Sequence, residues 1–218
     1  MQVSSARPGI LTRQMRRFGT ILFGLAILSL ASAETQFTSS SRITGRLMGA
    51  DGSLPEMLVY LEQVDPNVKI PPETSTAEIS QKGAQFSPSL LVISVGQKVN
   101  FKNDEDRPIE HNVFSRSPVK PFDLGLYKPP LAKSVTFDTP GVVRLFCSIH
   151  RAMDGMIYVC PTKYWSRVGA DGQFEIPNVP AGIWRLRTWQ RNARYNDQEL
   201  PLTTTGAAIN LDIRMKRE

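Results

Sequence analysis

"AINLDIRMK", Ala208 to Lys216, alternates without a break: Ile209, Leu211, Ile213 and Met215 fall on one side, Asn210, Asp212, Arg214 and Lys216 on the other. Successive side chains of a β-strand point to opposite faces, so this pattern predicts a strand with one dry face. The pattern recurs wherever turn residues bracket a segment. "KVNFKN" sets Val99 and Phe101 against Lys98, Asn100 and Lys102. "SVTFDTPG" sets out Val135 and Phe137 before the turn Pro140-Gly141, and "GQFEIPN" sets out Phe174 and Ile176 after Asp171-Gly172. Sixteen prolines and fifteen glycines punctuate the gaps, and no stripe of helical period appears after residue 33. The fold class expected is all-β, built of antiparallel sandwiches.

Three blocks follow from this pattern. Residues 42–66 read as strand, turn and the strand "MLVYLEQV". Residues 77–161 form a longer middle block, entered through "DPNVKIPPET". Residues 164–218 supply the remaining strands. Neither flank has enough strands to close a core, so the two are expected to pair, with the middle block inserted between them or docked on them.

The beginning of the chain reads differently. Four arginines and no acid precede residue 34, and "FGTILFGLAILSLASA", Phe18 to Ala33, follows as an uncharged run ending Ala31-Ser32-Ala33. A basic start, a short apolar core and a small-residue ending read as a secretory signal over residues 1–33. Sixteen residues fall short of the roughly 20 that a membrane-spanning helix needs, so no membrane span is expected after cleavage. Arg16-Arg17 is weak evidence for twin-arginine export, and Met15 could serve as the true start. Of the net charge of +6, four positives lie in this segment, which leaves 22 − 20 = +2 on the remainder. That balance removes most of the case for nucleic-acid binding, which needs a concentrated basic patch. The expected location is the periplasm.

The chemistry concentrates in "VVRLFCSIHRAMDGMIYV", Val142 to Val159, which holds one of two cysteines and one of two histidines. Cys147 ends an apolar run, and His150 and Met153 lie on the loop that leaves it. The other histidine, His111, stands in "PIEHNVFS" after the acidic run "NDEDRP". A thiolate, two imidazoles and a weak axial thioether are the ligand set of an electron-transfer copper site. The metal ligands expected are therefore His111, Cys147, His150 and Met153, with Met156 the rival for the axial place. A disulfide from Cys147 to Cys160 would abolish the site. In "GMIYVC", however, Ile157 and Val159 take the core face and Cys160 the opposite one with Tyr158, which makes bridging awkward. Cys160 reads as a small buried hydrophobe under the second sandwich. Trp184 and Trp189 read as core and rim residues. The acidic run reads as a solvated loop able to dock a basic partner, and "YKPPLAK" as a rigid loop near the metal end.

The middle block resembles a cupredoxin, close to plastocyanin and especially amicyanin, in its His111-Asn112-Val113 and in the spacing of Cys147, His150 and Met153. The resemblance implies a Greek-key sandwich, equatorial His111, Cys147 and His150, axial Met153, and a hydrogen bond between Asn112 and Ser148 that ties the ligand loops together. "ITGRLMGADGSLPEMLVYLE" and "ADGQFEIPNVPAGIWRLRTWQ" resemble pieces of a carboxypeptidase-regulatory-like, transthyretin-like sandwich. The whole arrangement is similar to a bacterial family usually labelled methylamine-utilisation protein or plastocyanin-like.

What this implies is a type 1 (blue) copper protein with one mononuclear copper ion. It would pass single electrons between redox proteins, with His150 as the exit route. With every coordination place held by protein, no enzyme activity is expected, and no Ser-His-Asp triad can be assembled without taking a ligand histidine. Two further readings remain: a periplasmic copper carrier using the same ligands, and an adhesive two-sandwich protein with a vestigial site.

Overall fold

Alternation bracketed by turns becomes strand throughout the described residues. The computed structural model describes residues 39–50, 52–66 and 69–217, so the leader expected at residues 1–33 lies outside the described residues. The first flank contributes β1 (Ser40–Met48) and β2 (Met57–Gln63). The middle block supplies β3 (Thr76–Lys82), β4 (Gln85–Ser87), β5 (Leu90–Ser94), β6 (Lys98–Asn103), β7 (Phe114–Ser115), β8 (Phe122–Asp123), β9 (Ala132–Thr136), β10 (Gly141–Phe146) and β11 (Asp154–Cys160). The last flank adds β12 (Trp165–Arg167), β13 (Gln173–Pro180), β14 (Gly182–Gln190), β15 (Glu199–Thr204) and β16 (Ile209–Arg214). Among the described residues there is no α-helix, and so no helix long and apolar enough to cross a membrane.

The flanks pair with each other. β1 runs antiparallel to β13 and parallel to β16, and β2 lies between β12 and β14. The two resulting sheets, ordered β13-β1-β16 and β12-β2-β14-β15, close on Ile43, Leu61, Ile176, Trp184 and Ile213. Trp184 is fully buried, and its indole N–H donates to Thr204 Oγ1 at 3.0 Å, so the one polar atom of this large side chain is satisfied. The turn into β13 depends on Gly172: its φ is +83°, and a Cβ there would lie 2.2 Å from the Leu47 carbonyl oxygen.

The middle block is inserted between β2 and β12 and forms its own sandwich. Its sheets are β5-β11-β10-β7-β8 and β4-β3-β6-β9, packed on Ile79, Val99, Phe101, Phe137, Leu145 and Val159. β11 is buried on both faces. Ile157 and Val159 enter the middle core, while Tyr158 and Cys160 point outward against Leu58, Tyr60, Trp165 and Trp189 of the other sandwich. Trp189 stacks on Tyr158 with ring centroids 4.3 Å apart. A strand covered on both sides reads as a continuous apolar run, which explains "MIYVC". Trp189 is thus the rim residue expected, joining the two sandwiches.

Candidate metal centre

Three donor atoms converge at one end of the middle sandwich. Cys147 follows the last residue of β10, which places its thiol at the edge of the core, only 5% exposed. The chain turns immediately: the Met153 amide donates to the His150 carbonyl at 2.9 Å, which folds the loop so that His150 comes back over the thiol. His111 arrives from the opposite side, fully buried. Its backbone exchanges two hydrogen bonds with Tyr127, at 3.2 and 2.9 Å, so the "YKPPLAK" loop does lie at this end. Cys147 Sγ lies 3.9 Å from Nδ1 of His111 and 3.9 Å from Nδ1 of His150. The three donor atoms all lie within 4.8 Å of one another.

The two sulfur–nitrogen separations fit an ion bound by these donors. With typical bonds of about 2.0 Å to nitrogen and about 2.3 Å to sulfur, a trigonal array sets each sulfur–nitrogen distance near ~3.7 Å. Met153 is 1% exposed and packs in the same apolar cluster as Cys147. Met156, its rival, packs instead against the outward cluster around Tyr158 and Cys160, on the other side of the sheet. Cys147 and Cys160 are both free and stand in different clusters on opposite faces of the sheet.

Asn112 and Ser148 meet as expected. Asn112 Oδ1 accepts from the Ser148 backbone N–H at 2.7 Å and from its hydroxyl at 2.9 Å. The Asn112 amide nitrogen donates to Asp123 Oδ1 at 3.3 Å, and the Gly125 N–H donates to the same oxygen at 2.8 Å. A link therefore runs from β8 through Asn112 to the loop that carries Cys147 and His150.

Most of the acidic run is solvated as expected, with Asp104 and Asp106 exposed, but one of its acids is not. Glu105 turns inward, its side chain only 10% exposed, and its Oε1 lies 2.9 Å from His111 Nε2. The Gly83 N–H donates to the same oxygen at 2.8 Å. The carboxyl is held below the ordinary range chiefly by the His111 hydrogen bond, with the backbone N–H groups of Ala84 and Gly83 adding to it. An acceptor at Nε2 selects, in the neutral imidazole that a metal would bind, the tautomer with its proton there, which leaves the Nδ1 lone pair facing the thiol. Behind it, Asn103 Nδ2 donates to the carbonyls of Ile109 and Tyr127, both at 2.9 Å. The Tyr127 hydroxyl donates to the Phe101 carbonyl at 3.1 Å, and burial pushes its pKa up to about 12, so it stays protonated. Glu105 and Tyr127 are the site residues that sequence reasoning missed as such. The one signal available was an acidic residue close before the histidine.

No family model matches the chain, and no curated protein matches it in sequence. Solved structures similar to it include a purple cupredoxin from Nitrosopumilus maritimus, 25% identical over 38% of this chain and 98% of that one, with a TM-score of 0.35. An oxidised methionine-to-leucine mutant of amicyanin is 21% identical over 38% of this chain and 80% of that one, TM-score 0.35. A copper-containing nitrite reductase from Thermus scotoductus is 27% identical over 45% of this chain and 25% of that one, TM-score 0.37.

Proposed function

We propose that the protein is an exported, non-enzymatic type 1 copper protein that passes single electrons between redox partners in the periplasm. The observation that carries this reading is the Glu105–His111–Cys147 line: a buried carboxylate holds the imidazole proton on Nε2, which presents a bare Nδ1 to a buried thiol 3.9 Å away. Bound there, copper would supply a one-electron couple, with sulfur suited to Cu(I) and imidazole to Cu(II).

The chain's own residues define the rest. His111, Cys147 and His150 would be the equatorial ligands. Met153 is supported as the axial one by its burial beside Cys147. Asn112 and Asp123 hold the Ser148 backbone in place, so the ligand loop changes little between oxidation states. The half-buried His150 offers the edge from which an electron would leave. Full burial of His111 and near-complete burial of Cys147 support a resident metal over a carrier that must exchange it.

An optical spectrum of the copper-loaded protein tests the proposal. Intense sulfur-to-copper charge-transfer absorption is expected, bleached by reductant and absent in Cys147→Ser. A colourless copper-loaded wild type overturns it.

A further inference from the structure

The five-stranded sheet of the middle sandwich is covered on only half of its outer face. β5 and β11 lie under the second sandwich, with Val142 of β10 packed at its edge, whereas Phe114 of β7 and Arg144 and Phe146 of β10 lie beyond that cover. There Phe114 pairs across the strands with Phe146, ring centroids 5.7 Å apart. Arg116 lies over the Phe114 ring and Arg144 over the Phe146 ring, each guanidinium carbon 5.7 Å from the ring centre. Extending this antiparallel register by two residues sets Arg144 opposite Arg116, and the Arg144 N–H donates to Ser117 Oγ at 2.9 Å across the same gap.

Like charges facing each other on neighbouring strands repel. Among the described residues neither arginine forms an ion pair that would relieve this. Asp123 is already engaged by Asn112 and Gly125, and Asp154, opposite Phe146 on β11, pairs with neither guanidinium. Both arginines are exposed and lean on apolar rings, which leaves their donor forks free while lowering their hydration. Beside them runs a groove of about 500 Å³ lined by Phe114, Ser115, Arg116, Pro121, Phe122, Asp123 and Ser148, so its apolar rings share it with one carboxylate. Ser148 follows Cys147 in the chain, so the groove reaches the loop that carries the thiol.

We propose that this face docks an acidic segment of a partner protein. Carboxylates would be taken by the Arg116 and Arg144 forks and an apolar side chain would lie in the groove. Planar carboxylates match the guanidinium fork in pairs of hydrogen bonds. Arginine set among aromatic rings is the composition of protein–protein interface centres. Anionic membranes instead recruit clusters of roughly 4–8 basic residues, and this strip has two. The surface goes beyond the electron-transfer reading and needs no metal. If that reading holds, it also puts the partner at the loop that carries Cys147 and His150.

A metal-free preparation titrated with a fluorescent peptide of alternating Glu and Phe tests the proposal. Binding is expected to weaken with added salt and to perturb the NMR signals of the Phe114 and Phe146 rings. Arg116→Gln/Arg144→Gln should weaken it by about tenfold or more, whereas Lys98→Gln, the loss of an exposed charge on the other sheet, should not. Arg116→Lys/Arg144→Lys, which keeps charge but removes the forks, should fall between. Circular dichroism checks that each variant folds. Absence of peptide binding, equal loss in Lys98→Gln, or tighter binding to phosphatidylglycerol vesicles than to the peptide overturns the proposal.

Discussion

Asn112 and Ser148 lie 36 positions apart in sequence, yet one carboxamide oxygen takes both the backbone N–H and the hydroxyl of the serine. Ser148 stands between Cys147 and His150, so this contact sets the path of the loop that carries two donor atoms. Replacing Asn112 by Ala removes both bonds, and because Ser148 is exposed and water can take over its N–H, the expected loss is the net worth of ordinary hydrogen bonds, about 0.5–1.5 kcal/mol each. Urea denaturation of the metal-free protein should report a lower midpoint in Asn112→Ala. An unchanged midpoint would mean that the loop is held by something else.

Glu105→Gln keeps a hydrogen-bond acceptor near His111 Nε2 but removes the negative charge. A carboxylate behind a ligand histidine makes it a better donor, and loss of such a partner typically costs about 10–100-fold in metal affinity. With copper bound, removing the charge disfavours Cu(II) more than Cu(I), so the reduction potential should rise. Redox titration of wild type and variant measures this directly. A lower potential would refute the role assigned to Glu105.

Cys160 sits in the seam, away from the converging donors, and burial pushes its thiol up from the ordinary value. It should resist alkylation at pH 8 in the folded protein and react readily once the protein is unfolded in guanidinium. Cys160→Ala should retain the copper absorption that Cys147→Ser loses. Mass spectrometry of the alkylated protein and a spectrum of the variant settle the two points separately.

Trp189 holds the sandwiches together by stacking on Tyr158. Trp189 is half-buried, so Trp189→Ala should cost less than the about 3–5 kcal/mol of a fully buried Trp while opening the Tyr158 and Cys160 face. The expected signature is alkylation of Cys160 under native conditions, with the copper spectrum little changed. If Cys160 stays protected, the seam does not depend on the indole.

Much of this protein follows from local patterns. Alternation from Ile209 to Met215, or through Val99 and Phe101, reports which face of a strand is dry, because side-chain direction follows directly from position along a strand. The tight spacing of Cys147, His150 and Met153 brings candidate ligands onto one loop, and scarcity of histidine left only His111 to complete them. Period two also placed Cys160 opposite the core. Other features depend on contacts between segments that the order of residues does not reveal. Asp104, Glu105 and Asp106 look alike in sequence. Only the position of the Gly83–Ala84 turn, 22 residues before Glu105, decides that the middle one turns inward to His111. Arg116 and Arg144, far apart in sequence, face each other only because β7 and β10 pair in one register. Met153 and Met156 stand close along the chain but pack on opposite sides of a sheet. A one-residue change in how the chain leaves its loop would reverse which of them lies beside the thiol.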